Sequence, residues 1–194
     1  ERTFYAEFYL SMRNNAGGVP KWTSAVTAIN QLTTNFAGDI RWGLTLFPDT
    51  ATPNCEQATI PIPVAPGNEA AIQMLLTSSL MTSDPNYPDG PCVTNIDTAM
   101  QQAATESALD DPMRKSFVML ITDGMQAGCS AAGGDNGTEM IISDLNTMRD
   151  VKTFVVGFGG ATDAAQMDMF AVNGGTALPQ SPRYYQADDA MELE

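Results

Sequence analysis

Histidine is absent from the 194 residues, and that absence removes a large part of enzyme chemistry at once. Hydrolases built on a Ser-His pair and zinc sites that need imidazole ligands cannot be assembled from this chain. Basic residues are scarce too: nine Lys and Arg stand against 23 Asp and Glu, giving a formal net charge of −14. Such a surface repels a phosphate backbone and an anionic membrane alike, so nucleic acid is a poor partner. No apolar run reaches the roughly 20 residues of a membrane span, and Glu1-Arg2-Thr3 does not open a signal peptide. The chain is therefore expected to insert in no membrane, with any export signal outside it. The acids are dispersed, as in Asp110, Asp123, Asp135, Asp150 and Asp163, the pattern of a solvated surface that also tolerates cations.

Cysteine is limited to three positions. Cys55 and Cys92 sit in the polar stretches Pro53-Asn54-Cys55-Glu56 and Asp89-Gly90-Pro91-Cys92, whereas a core thiol normally sits inside an apolar run. Loop cysteines favour a Cys55–Cys92 disulfide and an oxidising compartment, with Cys129 free or paired outside the chain. Three cysteines leave other pairings open.

What is present is enough apolar material for a core: 43% hydrophobic residues and only 16% charged ones, in a length that suits one domain over residues 1–194. Strand and helix patterns alternate along it, the signature of a parallel sheet covered on both faces. Strands are expected at 3–10, 40–47, 116–122 and 151–158, with weaker ones at 59–64 and 183–186. Pro61 and Pro63 confine the 59–64 segment to a sheet edge. Amphipathic helices are expected from Pro20 to Gly38, over 69–81, 95–109, 139–149 and 163–172. Met140, Ile141, Ile142, Leu145 and Met148 are assigned to the buried side of the fourth helix, and residues 187–194 read as a helix cut off after two turns. The expected fold is α/β and doubly wound, a mostly parallel six-stranded sheet with helices on both faces.

In such a sheet ligands bind beyond the carboxyl ends of the strands, so the informative residues are those just past each strand. Residues 7–12, Val93-Thr94-Asn95 and Ile121-Thr122-Asp123-Gly124 occupy those places. With them the chain resembles the von Willebrand factor type A family over nearly its whole length. The first-helix and second-strand stretch from Lys21-Trp22 to Phe47, the Lys115–Gly124 strand and loop, and Val151–Gly159 carry the resemblance, in that order and spacing. It implies a bacterial secreted or surface type of domain.

Many members of that family hold a divalent cation in a metal-ion-dependent adhesion site, built from a D-x-S-x-S loop, a threonine and an aspartate. Hydroxyls and carboxylates are hard oxygen ligands suited to Mg2+, Mn2+ or Ca2+. The resemblance puts Thr94 on the threonine, Asp123 on the aspartate and Ser11 on the last serine. Glu7 then stands where the first aspartate belongs and Tyr9 where the first serine belongs. A glutamate is one methylene longer, and a tyrosine hydroxyl is too far from the backbone to replace a serine's. The adhesion site is thus degenerate, either remodelled or dead, with Ser11, Thr94, Asp123 and Glu7 as candidate ligands. Tyr9, Asn95 and Met125 are the candidate contacts for a partner on the same upper face. Ser11 and Thr94 also suit helix N-caps, Asp123-Gly124 a simple turn.

Gly157-Phe158-Gly159-Gly160 lacks the lysine and hydroxyl of a phosphate loop, and Asn136-Gly137-Thr138 matches a glycosylation acceptor. No nucleophile, base and orienting group occur together, so no enzyme activity is expected. The leading expectation is an extracellular or cell-surface adhesion module, secreted, surface-bound or periplasmic, that engages a protein or surface ligand with or without a divalent cation. The alternative is a structural module with an inactive metal site that packs against neighbouring domains or copies of itself.

Overall fold

The structure, a computed structural model, describes residues 2–9 as backbone and residues 21–47, 57, 60–87, 94–123, 126, 130–158 and 163–187 in full. Strands β1 (Arg2–Tyr9), β2 (Ile40–Phe47), β3 (Ile62–Ala65), β4 (Lys115–Thr122), β5 (Lys152–Phe158) and β6 (Tyr185–Ala187) lie side by side in the order β3-β2-β1-β4-β5-β6. All pairings are parallel except β2 with β3. Helices α1 (Lys21–Asn35), α2 (Glu69–Ser78), α3 (Ile96–Ala103), α4 (Gly134–Arg149) and α5 (Ala164–Asn173) connect them. The α/β alternation read from periodicity is what the chain adopts.

Strand alternation explains the layering, because successive side chains leave a sheet on opposite faces. Trp42, Leu44 and Leu46 of β2, Ile121 of β4, and Val156 and Phe158 of β5 pack with α1 and α2. Phe47, Val118, Leu120 and Val155 point the other way, into a core shared with α3, α4 and α5. Leu44 and Leu120 are fully buried, each contributing about 1.5–3 kcal/mol by leaving water. The strand order turns between β1 and β4: β2 and β3 lie on one side, β5 and β6 on the other. Such a reversal opens a crevice at the carboxyl ends of the two central strands.

Several local readings are corrected. Helix α4 begins at Gly134 rather than residue 139, because the Gly- and Asn-rich stretch before it is held by contacts from elsewhere in the fold. Gly134 Nα donates to Asp97 Oδ2 at 2.9 Å. A Cβ on Gly137 would lie 1.9 Å from the Ala132 carbonyl oxygen, so only glycine permits this close approach. Asn136-Gly137-Thr138, the glycosylation-acceptor triplet, lies in the first turns of this helix, with the buried Thr138 hydroxyl donating to the Gly134 carbonyl at 3.1 Å.

Met140 and Met148 are 67% and 78% exposed. The buried stripe of α4 runs through Thr138, Ile142 and Leu145; at 100° per residue Met140 falls opposite it and Met148 on its flank, in the last turn. Phe36 and Leu80 are exposed because α1 ends at Asn35 and α2 at Ser78, so neither sits on its helix's apolar stripe. The helix expected over 95–109 stops at Ala103 and resumes as a 3-10 turn, Ser107–Asp110. Glu106 causes the break: its backbone is extended, and its carboxylate accepts from Ala108 Nα at 3.2 Å and from Val64 Nα at 3.0 Å.

Candidate functional site

Asp123 follows directly on β4 and so stands at the switch point, only 9% exposed. Its carboxylate meets Lys21, the first residue of α1: Nζ lies 3.3 Å from Oδ2, with the lysine side chain 19% exposed. Burial raises the Asp123 pKa above its ordinary value, and the charge and hydrogen bond of Lys21 oppose that rise. A cation in the first turn of a helix sits at the unfavourable end of the helix dipole, and α1 has no acid of its own there. The favourable partner for Lys21 comes from β4 instead.

Thr94 is buried just before α3, and the N-cap position of that helix is Asn95, so Thr94 does not cap it. Asn95 is fully buried: its Nδ2 donates to Thr98 Oγ1 at 2.7 Å and to Gln57 Oε1 at 3.4 Å, while Gln57 Nε2 reaches the Leu46 carbonyl at 3.0 Å. The Asn95 amide thereby ties α3 to the carboxyl end of β2.

Two residues later, Asp97 is completely buried in the first turn of α3. Its Oδ1 accepts from Thr98 Nα at 2.8 Å and Gln126 Nε2 at 3.0 Å, and its Oδ2 from Ala132 Nα and Gly134 Nα, both at 2.9 Å. Four donors meet the demand of a buried carboxylate and clamp the α4 entrance onto α3. Gln126 Nα in turn donates to Gln166 Oε1 of α5 at 3.4 Å. Thr94 lies three residues before Asp97 and Asp123 three before Gln126, so this pair is the described link between the two predicted ligand positions.

Glu7 lies within β1, its backbone in register with Thr45 and Leu120, and Tyr9 ends that strand opposite Phe47. Ser11, Met125 and the cysteines Cys55, Cys92 and Cys129 lie outside the described residues. Sequence reasoning passed over Lys21 and Asp97. The signals were an ammonium at a helix N-terminus and a carboxylate on the apolar side of Ile96-Asp97-Thr98-Ala99-Met100.

No group of three or more His, Cys, Asp and Glu that could hold a metal ion occurs among the described residues. Thr94 and Asp123 have the hard oxygens that Mg2+, Mn2+ or Ca2+ prefer. The charge does not fit: Asp123, the carboxylate a divalent ion would need, is already in contact with the Lys21 ammonium. Among the described residues, Thr94 and Asp123 by themselves do not make a divalent-cation site.

No protein-family model and no curated protein match the chain. Solved structures do. The chain is similar to proximal thread matrix protein 1 from the mussel byssus at 16% identity and a TM-score of 0.68, over 99% of this chain and 43% of that one. It is similar to the pilus adhesin SpaC from Lactobacillus rhamnosus GG at 13% identity and a TM-score of 0.68, over 99% of this chain and 29% of that one. The SpRpn10 VWA domain matches at 8% identity and a TM-score of 0.61, over 99% of this chain and 93% of that one. The fold is that of a von Willebrand factor type A domain. The chain spans less than half the length of the mussel and pilus proteins. The mussel protein also has a structure with a zinc-occupied MIDAS motif, the metal-ion-dependent adhesion site, matched at 13% identity and a TM-score of 0.63 over 100% of this chain and 45% of that one. No helix among the described residues is long and apolar enough to cross a membrane.

Proposed function

We propose that this chain is a binding module of an extracellular or cell-surface protein and that it engages a protein or surface ligand at the carboxyl-end face of its sheet. The observation that carries this reading is Asp123, a buried carboxylate at the strand-order reversal, joined to a lysine from the opposite side of the switch point. An adhesin and a byssal matrix protein with the same fold support a secreted, surface or periplasmic setting. Catalysis is not part of the reading. Neither is a resident Mg2+, Mn2+ or Ca2+ ion, since Lys21 already holds the carboxylate.

The test uses an immobilised array of peptides of varied charge and compares the chain with its Asp123→Ala variant by interferometry. The parent is expected to retain a subset of peptides that the variant binds at least tenfold more weakly, with unchanged far-UV circular dichroism. Equal binding by the two proteins overturns the reading.

A second reading, a structural module that packs against neighbouring domains or copies of itself, draws on the same ion pair. A carboxylate neutralised from within needs no ligand. This reading expects concentration-dependent sedimentation that Asp123→Ala leaves unchanged, and a chain that sediments as a monomer at all concentrations speaks against self-packing.

A further inference from the structure

We propose that Lys21 is the resident cation of the upper-face site, and that a divalent ion reaches Asp123 only by displacing the lysine ammonium. The inference stands on the geometry of this pair and does not depend on the identity of any partner.

The Lys21 Nζ to Asp123 Oδ2 separation of 3.3 Å is that of a contact ion pair. A divalent ion binds carboxylate oxygen at about 2.0–2.6 Å. Both cations on one carboxylate would stand within a few ångströms of each other in a poorly solvated place, where screening is weak and repulsion is large. Occupancy is therefore exclusive. Asp123 is 9% exposed, so the ion pair is not a surface contact that water readily replaces.

Among the described residues little lowers the cost of displacement. No acid lies in the first turn of α1 to receive the released ammonium, and Asp97 is committed to four donors of its own. A displaced Lys21 would also keep its charge at the positive end of the α1 dipole. The lysine thus supplies, from the chain itself, the positive charge a bound metal would bring.

The test is Mn2+ binding by the full chelator-stripped chain, read as loss of the six-line electron paramagnetic resonance signal of the free ion. Lys21→Met, which keeps the aliphatic stem, and Lys21→Ala are expected to bind Mn2+ at least tenfold more tightly than the parent, a difference of about 1.4 kcal/mol. Adding Asp123→Asn to either is expected to abolish the gain. Equal Mn2+ affinity of the parent and both lysine variants overturns the proposal, as does a gain that survives Asp123→Asn. Circular dichroism of each variant establishes that it is folded, and two lysine variants guard against the failure of one. No peptide ligand enters the assay, so its outcome is separate from that of the array experiment.

Discussion

Asp97 and Gln126 bind each other reciprocally: Gln126 Nε2 donates to Asp97 Oδ1 at 3.0 Å, and Asp97 Nα donates to Gln126 Oε1 at 2.9 Å. The two residues lie in different segments, so neither bond forms until α3 has docked beside the loop that follows β4. Asp97→Ala would leave the Ala132 and Gly134 N–H groups without their acceptor. A loss of about 3 kcal/mol in urea unfolding is expected, with a smaller loss for Asp97→Asn, which keeps one acceptor oxygen. A loss below about 0.5 kcal/mol for the alanine variant would show that the clamp is dispensable.

Gly137→Ala separates propensity from packing. In an open helix alanine is favoured over glycine by about 1 kcal/mol, so propensity alone expects the variant to be more stable. The Ala132 carbonyl oxygen, 1.9 Å from the new Cβ, is backbone and cannot swing aside. The variant is expected to be less stable by about 3 kcal/mol in the same unfolding measurement. A stabilised variant would contradict the packing described.

The face of α4 can be tested by paired substitutions. Ile142 is fully buried, and Ile142→Ala is expected to cost about 2–5 kcal/mol. Met140→Gln and Met148→Gln on the exposed side are expected to stay within about 0.5 kcal/mol of the parent by thermal unfolding. Losses of comparable size at all three positions would place the buried stripe elsewhere.

Carboxylate titrations should part in two directions from the ordinary 3.8. The backbone N–H of Met113, and then Arg114, lower the Asp111 pKa, while the hydrogen bond and charge of Lys115 lower that of Asp150. For both, the folded state favours the ionised form. Their contribution to stability is present above pH 3.8 and lost as pH falls through their lowered values. Asp123 runs the other way. Burial raises its pKa, so its contribution is fully present below pH 3.8 and lost as pH rises through the raised value. Carboxyl-carbon NMR should give a midpoint above 3.8 for Asp123 and below it for Asp111 and Asp150, and the reverse order would refute the environments assigned.

The Cys55–Cys92 bridge is expected from the loop setting of both residues. Intact-mass measurement without reductant should find the chain two hydrogens lighter than its fully reduced form. Three alkylatable thiols in the unreduced protein would remove the bridge, and with it one support for an exported protein.

The fold was readable wherever a single period decided burial. Strand β2 runs from Ile40 to Phe47, the bounds its apolar pattern predicts, and β4 and β5 differ from expectation by one residue at their starts. Their side chains meet core on both faces of a sheet, so composition alone marks them. Gly134 to Thr138 was not readable as helix, because glycine, aspartate and asparagine favour turns and only the partners at Asp97 and Ala132 make a helix there. The candidate site divides in the same way. Asp123 stands out because it ends an apolar strand, whereas the role of Lys21 depends on a partner 102 residues away.

At the outer edge of the sheet, Pro63 of β3 has no N–H, and the N–H of Val64 is taken by the Glu106 carboxylate at 3.0 Å. A strand from another molecule, seeking donors along that rim, meets a proline ring and an amide already engaged. Fibre-like growth by strand addition is blunted there at the level of single hydrogen bonds. A neighbouring molecule can therefore lie against that edge without being drawn into the sheet.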